Sequence, residues 1–197
     1  MQRLLRLLEA TDPELAAHGR RAAQLASEVA AAMEFEPEQV EMIHAAAQLH
    51  DVGKLFISRQ ILDKPGPLDA REWEELQRHP ETGYELVNKH VPIEAARIVL
   101  THHEWYDGSG YPNGLSGERI PLATRVLQVA DAFDAITSTR PYQPALPVEY
   151  AISELVRCAG TQFDPYAVRA IVDLSRRPEW LARHGLAHPA VSDEIAV

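Results

Sequence analysis

The amino-acid sequence predicts an all-α protein. Nearly every segment carries apolar residues at the three- and four-residue spacing of a helix, and no stretch alternates convincingly between apolar and polar residues as a strand does. A chain of 197 residues is long enough for one well-buried core, and it contains no internal repeat or low-complexity linker. We therefore expect a single compact domain of about seven to nine helices.

Prolines open most of the predicted helices, because proline is tolerated in the first helical turn, where its missing N–H is not needed. Asp69 is a good N-cap for the helix that starts there. Gly53 stops the helix that begins at Pro37. Between Gly53 and Asp69, the Pro-Gly run at 64–67 is a clear break. The expected helices cover residues 13–33, 37–51, 58–62 (a single turn), 69–79, 80–89, 92–103, 121–136, 147–158 and 164–175.

The segments at both ends of the chain are predicted to be accessory. Residues 1–12 read as a short amphipathic lead-in, residues 13–176 as the main domain, and residues 177–197 as a tail with a short helix and then fraying. Within the main domain, the turn formers of residues 107–114 predict a glycine-rich loop that leaves the helical scaffold.

Composition limits the classes of protein to consider. Hydrophobic residues at 46% and charged residues at 24% are ordinary for a globular protein, and no apolar run approaches the roughly 18 residues that span a membrane. The single cysteine, Cys158, excludes an internal disulfide and a cysteine-based metal site, so a reducing, cytoplasmic setting is expected. A formal charge of -10 argues against binding a nucleic-acid polymer, although metal ions can invert the charge locally and attract an anionic substrate.

Side chains that ligate metals occur at several helix ends and helix faces. The vicinal pair His102-His103 projects its rings about 100° apart, which suits two neighbouring ions better than one. With no sulfur, the candidate set favours first-row metals such as Mn, Fe, Ni or Zn. The eight candidate ligands are Glu14, His18, His50, Asp51, His79, His102, His103 and Asp131.

Each candidate also has an ordinary structural interpretation. Glu14 and His18, four residues apart, are a common exposed helix pair. Asp131 could lie on a polar helix face, although its position between Val129 and Phe133 is unusual, because a carboxylate in an apolar stripe is costly without a cation. The remaining histidines have no matching partners and are interpreted as structural or exposed: His44, His90, His184 and His188.

The order of these residues resembles a known superfamily. His18, then His50-Asp51, then Asp131 follows the H…HD…D order of the HD superfamily of metal-dependent phosphohydrolases. The segment from His102 to Pro112, which contains Gly-Tyr-Pro, resembles the extended motif of its HD-GYP family. Residues 62–66, 79–80, 131–138, 140–142 and 163–165 also fit, so that the resemblance covers roughly residues 13–175.

The resemblance implies hydrolysis of cyclic di-GMP, a bacterial second messenger, to pGpG and/or GMP through a metal-bridging hydroxide. It implies that the eight candidates are metal ligands, with Asp51 bridging two ions and the glycine-rich loop beside the metal site. Glu14 stands at the position associated with a third ion, so two or three divalent ions are expected, Fe or Mn first and Ni or Zn as alternatives. Asp51 and Lys54 match catalytic positions, and Lys54, Arg140 and Tyr111 match substrate contacts.

Two departures from the family pattern leave the substrate open. Gln143 and Trp105 stand where many members carry basic residues, so the pocket is less cationic. One alternative is therefore another cyclic dinucleotide or a nucleotide phosphate as substrate. The other alternative is a signalling domain that binds cyclic di-GMP or a partner, such as a diguanylate cyclase docking on the Gly-Tyr-Pro loop.

Overall fold

The structure, a computed structural model, describes residues 1–139 and 144–186 and is all-helical over these ranges. The predicted fold class is confirmed. The described ranges contain eleven α-helices, which is more than the seven to nine predicted. Two of the eleven are short, with four and six residues. The eleven are α1 (Gln2–Thr11), α2 (Pro13–Ala32), α3 (Pro37–Leu49), α4 (Arg59–Leu62), α5 (Ala70–Leu76), α6 (His79–Val87), α7 (Ile93–Thr101), α8 (Leu122–Thr137), α9 (Val148–Arg157), α10 (Pro165–Ser175) and α11 (Pro178–Arg183), with 3-10 helices at Val52–Phe56 and Gly117–Arg119.

Side-chain caps and prolines set the helix starts, as the sequence predicts. Asp69 accepts hydrogen bonds from the N–H groups of Arg71 (2.8 Å) and Glu72 (3.0 Å) at the start of α5. Several helix ends differ from the prediction. Helix α5 ends at Leu76, and His79 opens α6 instead of closing α5; α3 and α7 end at Leu49 and Thr101, each two residues before the predicted end. In the described part of the chain, no helix has the length and apolar character needed to cross a bilayer.

The core forms around α2, which packs against α3 on one side and α8 on the other. Four of its alanines, Ala22, Ala23, Ala26 and Ala30, are fully buried, so neighbouring helices approach closely. At Gly19 the contact is backbone to backbone, because a Cβ there would lie 2.7 Å from the carbonyl oxygen of Gln48. This approach brings the residues next to Gly19 and Gln48 towards each other, and the His18 and His50 rings lie 5.2 Å apart.

The C-terminal helix α11 also packs on the core. Trp180 is fully buried and packs on Phe133 at a centroid distance of 5.7 Å. Its indole N–H donates to Glu28 of α2, and the Nε2 atom of His184 lies 2.8 Å from the same carboxylate. The predicted fraying of the tail concerns residues after 186, which lie outside the described ranges.

The Glu28 contacts predict a pH-dependent contribution to stability. Burial alone would raise the pKa of Glu28, but the hydrogen bonds from His184 and Trp180 lower it below its ordinary value. A carboxylate with a lowered pKa stabilises the fold fully above its unfolded pKa, about 4.3, and loses this contribution as pH falls through its folded pKa.

We expect Glu28→Gln to lower the free energy of unfolding by about 1–2 kcal/mol at neutral pH, because a charged acceptor of two hydrogen bonds becomes neutral. Chemical denaturation of both proteins across acidic and neutral pH measures this difference, which should shrink below about pH 4. The control is Glu74→Gln, which changes an exposed ion pair with Arg78 and should cost less than about 0.5 kcal/mol. A difference that stays constant with pH would contradict the assignment.

Candidate metal centre

Two groups of metal-ligating side chains meet at Asp51. Within each group, every residue offers one ligand atom, and these atoms all lie within 4.8 Å of one another. Asp51 belongs to both groups, so the two groups are parts of one centre. The first group is Asp51, His79, His102 and His103, and the second is His18, His50 and Asp51.

The two oxygens of Asp51 face different groups. Its Oδ1 atom lies 3.3 Å from the Nε2 atom of His79 and 3.6 Å from that of His102. Its Oδ2 atom lies 3.3 Å from the Nε2 atom of His50 and 3.9 Å from that of His18. This is the arrangement that a carboxylate bridging two ions requires.

Asp131 joins the second group from α8. Its Oδ1 atom lies 2.9 Å from the Nε2 atom of His18 and 3.6 Å from that of His50. The cost of a carboxylate between Val129 and Phe133 is therefore offset by two imidazoles. The structure thus brings seven of the eight predicted ligands together.

Glu14 is the exception. It lies on α2 one turn before His18 but is exposed, and within the described ranges its side chain forms no hydrogen bond or ion pair. Its assignment to a third metal ion stays a prediction.

Several polar atoms of the centre lack the partners that burial demands. The Nε2 atom of His50 and the Oδ1 atom of Asp51 are buried without a hydrogen bond to any described residue. The Nε2 atom of His79 also lies 3.2 Å from that of His102 and 3.1 Å from that of His103. Unsatisfied buried acceptors and converging imidazole nitrogens are unfavourable without protons or a cation between them. The nitrogen and oxygen donor set fits divalent first-row metals.

The main chain orients three of the histidines. The Nδ1 atoms of His50, His79 and His102 each lie 2.7 Å from the carbonyl oxygen three residues earlier, those of Ala47, Leu76 and Val99. A carbonyl can only accept, so Nδ1 carries a proton and Nε2 is the ring nitrogen directed to the centre.

The electrostatics of the metal-free centre keep its carboxylates ionised. Burial alone would raise the pKa of Asp51, but the charges of Lys54 and His50 hold it well below its ordinary value. Burial would lower the pKa of His50, yet the charges of Asp51 and Asp131 raise it to about 10. Burial lowers the pKa of His102 to about 4, which favours the neutral imidazole that a metal needs.

The predicted substrate contacts lie beside this centre where the structure describes them. The Lys54 ammonium lies 2.6 Å from the Oδ2 atom of Asp51 and remains partly exposed. The Tyr111 ring stacks on His103 with centroids 4.9 Å apart and an interplanar angle of 23°. Arg140 and Gln143 lie outside the described residues.

Two buried acids that the sequence interpretation did not assign also hold the site. Glu104 accepts from the N–H groups of Asn113 (2.7 Å) and Leu115 (2.9 Å), so it fixes the glycine-rich loop beside the histidine pair. Asp134 accepts from His18 and is 2% exposed. The spacing of Asp134, three residues after Asp131 on one helix face, is the sequence signal that could have identified it.

Known proteins are similar to this chain over most of its length. Residues 2–167 match a family model described as HD domain. The cyclic di-GMP phosphodiesterase response regulator RpfG of Xanthomonas campestris pv. campestris is 43% identical over 176 residues, which are 87% of this chain and 46% of that protein. The 3'3'-cGAMP-specific phosphodiesterase 2 of Vibrio cholerae is 39% identical over 173 residues, which are 86% of this chain and 33% of that protein.

A solved structure shares the fold. Bd1817, an HDG"Y"P protein from Bdellovibrio bacteriovorus, superposes with a TM-score of 0.68 at 21% identity, over 83% of this chain and 53% of that one. At this identity the likeness concerns the fold alone. The chain spans less than half the length of the two curated relatives above.

We expect Asp51→Ala to abolish binding of the ions at both groups, since each group loses an oxygen ligand. Elemental analysis after dialysis of the metal-loaded protein measures this loss. The control is Asp173→Ala, an exposed carboxylate of α10 paired with Arg169, which should keep the wild-type metal content. An Asp51→Ala protein that retains its ions would rule out the shared position of Asp51.

Proposed function

The chain belongs to the HD domain family, and on that premise we propose that it is a metal-dependent phosphodiesterase that hydrolyses cyclic di-GMP to pGpG and/or GMP. The observation that carries the proposal is the Asp51 carboxylate, which faces a separate group of histidines with each of its oxygens. The prediction of the family from the sequence motifs is confirmed by the family match and by the named relatives.

The two ligand groups support a centre of at least two divalent ions. His79, His102 and His103 would hold one ion and His18, His50 and Asp131 the other, with Asp51 shared. Such ions lower the pKa of water and stabilise charge on a phosphodiester. Iron or manganese is our first expectation, with nickel and zinc as alternatives, and Glu14 would be needed only for a third ion.

The chain's own residues supply the rest of the chemistry. The Lys54 ammonium is directed at the centre and partly exposed, so it can contact a phosphate oxygen whose negative charge increases as water adds to phosphorus. The P–O bond to the ribose oxygen breaks, and that oxygen leaves with a proton. Tyr111, stacked on His103, forms part of the wall on which a substrate would lie.

A second substrate is supported by particular observations. One relative at 39% identity is named for 3'3'-cGAMP, in which one guanine of cyclic di-GMP is replaced by adenine. In this chain, a pocket of about 180 Å³ beside His102 and Asp131 is lined by Trp105, which replaces a common basic residue. An aromatic wall stacks on either purine, whereas a lysine or arginine acts mainly on phosphates.

A non-catalytic signalling domain remains the alternative from another class. The Gly-Tyr-Pro loop presents exposed Asp107 and Ser109 at its surface, where a signalling partner such as a diguanylate cyclase could dock. The converging ligand set favours catalysis, since a domain that only binds has no need of it. A cytoplasmic setting, expected from the single cysteine, is part of the proposal.

Incubation of the manganese- or iron(II)-loaded protein with cyclic di-GMP, followed by chromatography, should yield pGpG and/or GMP. The same panel should include 3'3'-cGAMP and a linear nucleotide phosphate, and Asp51→Ala is the inactive control. Turnover of 3'3'-cGAMP alone would support the second substrate. Binding of cyclic di-GMP without any product, under every metal, would support the signalling domain instead.

We expect Lys54→Gln to lower kcat by about 10²–10³-fold with the metal content unchanged, since it removes a positive charge that faces the reacting phosphate. Steady-state kinetics and elemental analysis of the same preparation measure both. Lys64→Gln is the matched control, because Lys64 pairs with Glu72 and not with a ligand of the metal centre. A Lys54→Gln enzyme as fast as wild type would show that the ammonium does not act on the substrate.

A further inference from the structure

Asp134 is a buried carboxylate in contact with one metal-ligating histidine. Its Oδ2 atom lies 2.7 Å from the Nδ1 atom of His18, on the side of the ring opposite the metal centre. Arg21 donates to both of its oxygens, from Nε at 2.7 Å and from Nη2 at 3.1 Å. The Ser138 hydroxyl donates to Oδ1 at 2.9 Å. Four hydrogen bonds therefore fix the carboxylate.

The position of His18 in its helix explains why a carboxylate is needed. His50 and His102 directly follow helices α3 and α7, and His79 lies three residues after the end of α5. Each Nδ1 atom therefore reaches a carbonyl of a last helical turn, where the N–H partner four residues later is missing. His18 lies inside α2, five residues after Pro13, where the main-chain carbonyls accept hydrogen bonds of the helix itself. Its Nδ1 proton must therefore go to a side chain from another helix, and α8 supplies Asp134.

We propose that Asp134, held by Arg21 and Ser138, is a positioning residue that fixes the ring orientation and tautomer of His18, so that its Nε2 lone pair faces Asp51 and Asp131. The inference rests on the proposed metal-dependent function, which it deepens by naming how one ligand is held. A carboxylate hydrogen-bonded to a ligating imidazole also makes the imidazole a stronger donor to the metal. His18 thereby differs from His50, His79 and His102, whose Nδ1 partners are neutral carbonyls.

A purely structural tie between α2 and α8 would make a different prediction. Loss of such a tie would lower stability alone, and it would not weaken metal binding at one ligand group more than at the other. The positioning of His18 instead predicts a selective weakening of the ion in the second group. Asp164 provides the matched control: it is fully buried and pairs with Arg125, but it contacts no ligand.

The test is titration of metal-free protein with manganese(II) against a competing indicator, for wild type, Asp134→Ala, Asp134→Asn and Asp164→Asn. In Asp134→Ala we expect one of two binding steps to weaken by about 10–100-fold and the other to stay unchanged. Asp134→Asn should fall between Asp134→Ala and wild type, because the amide oxygen still accepts from Nδ1 but carries no charge. Asp164→Asn should match wild type in both steps, even where its thermal stability falls.

A second readout does not need the metal. Nitrogen-15 spectra of the imidazoles in the metal-free protein should show a hydrogen-bonded proton on the Nδ1 atom of His18 in wild type. In Asp134→Ala the proton should be found on Nε2, which lies 2.9 Å from the Oδ1 atom of Asp131. If wild type binds none of manganese, iron(II), nickel and zinc, the proposed function fails, and the tautomer alone decides the inference. If Asp134→Ala does not fold, Asp134→Asn decides it. A folded variant with wild-type affinities and a wild-type His18 tautomer would overturn the proposal.

Discussion

The convergence of ligand atoms on the buried Asp51 carboxylate is the constraint on which the rest of the structure depends. Its oxygens lie within 4 Å of four imidazoles and of the Lys54 ammonium. Such crowding is unfavourable for a metal-free protein, because imidazole lone pairs meet and two polar atoms lack partners. The hydrophobic packing of α2, α3 and α8 must hold these groups together, and a bound cation would turn the same crowding into ligation.

Close backbone contacts are what make this convergence achievable. At Gly53 a Cβ would lie 2.0 Å from the carbonyl oxygen of His79, so the chain after Asp51 lies directly on the start of α6. Gly19 plays the corresponding role between α2 and α3. A larger residue at either position would clash with the facing backbone, and the shift needed to relieve the clash would move the adjacent ligands. The centre therefore depends on Gly19 and Gly53 as well as on its ligands, because these glycines allow the backbones that carry the ligands to approach.

Most of the fold and much of the site could be predicted from the sequence, for physical reasons that also explain the failures. Prolines and caps mark helix starts through interactions within a few residues. The residues of the pairs His50-Asp51 and His102-His103 are adjacent in the sequence, so their closeness does not depend on the fold. The start of α6 at His79 was misplaced, since Pro80 restricts the residue before it yet is also favoured in a first turn. The spacing of Asp134 from Asp131 places it on the ligand face of α8, but its role does not follow from spacing, because its partner His18 is 116 residues away and the contact depends on the packing of α2 against α8. Glu14 shows the converse: its spacing from His18 is favourable, but spacing alone does not bring an exposed side chain to the centre.

The charge balance of the chain bears on how an anionic substrate would bind. The formal charge is -10, and the carboxylates nearest the centre, Asp51, Asp131 and Asp134, are all ionised or paired. Of the cations close to them, Arg21 is bound to Asp134, and the imidazoles are directed at the metal position. Within the described part of the chain, Lys54 is the cation that remains for a substrate, because it pairs with Asp51 but stays partly exposed. The three carboxylates are therefore balanced by Arg21, Lys54 and the protonated His50, and these residues alone offer a substrate with two phosphates little net positive charge. Under the proposed function the ions are needed for binding as well as for chemistry, and the aromatic surfaces of Trp105 and Tyr111 supply attraction that does not depend on charge.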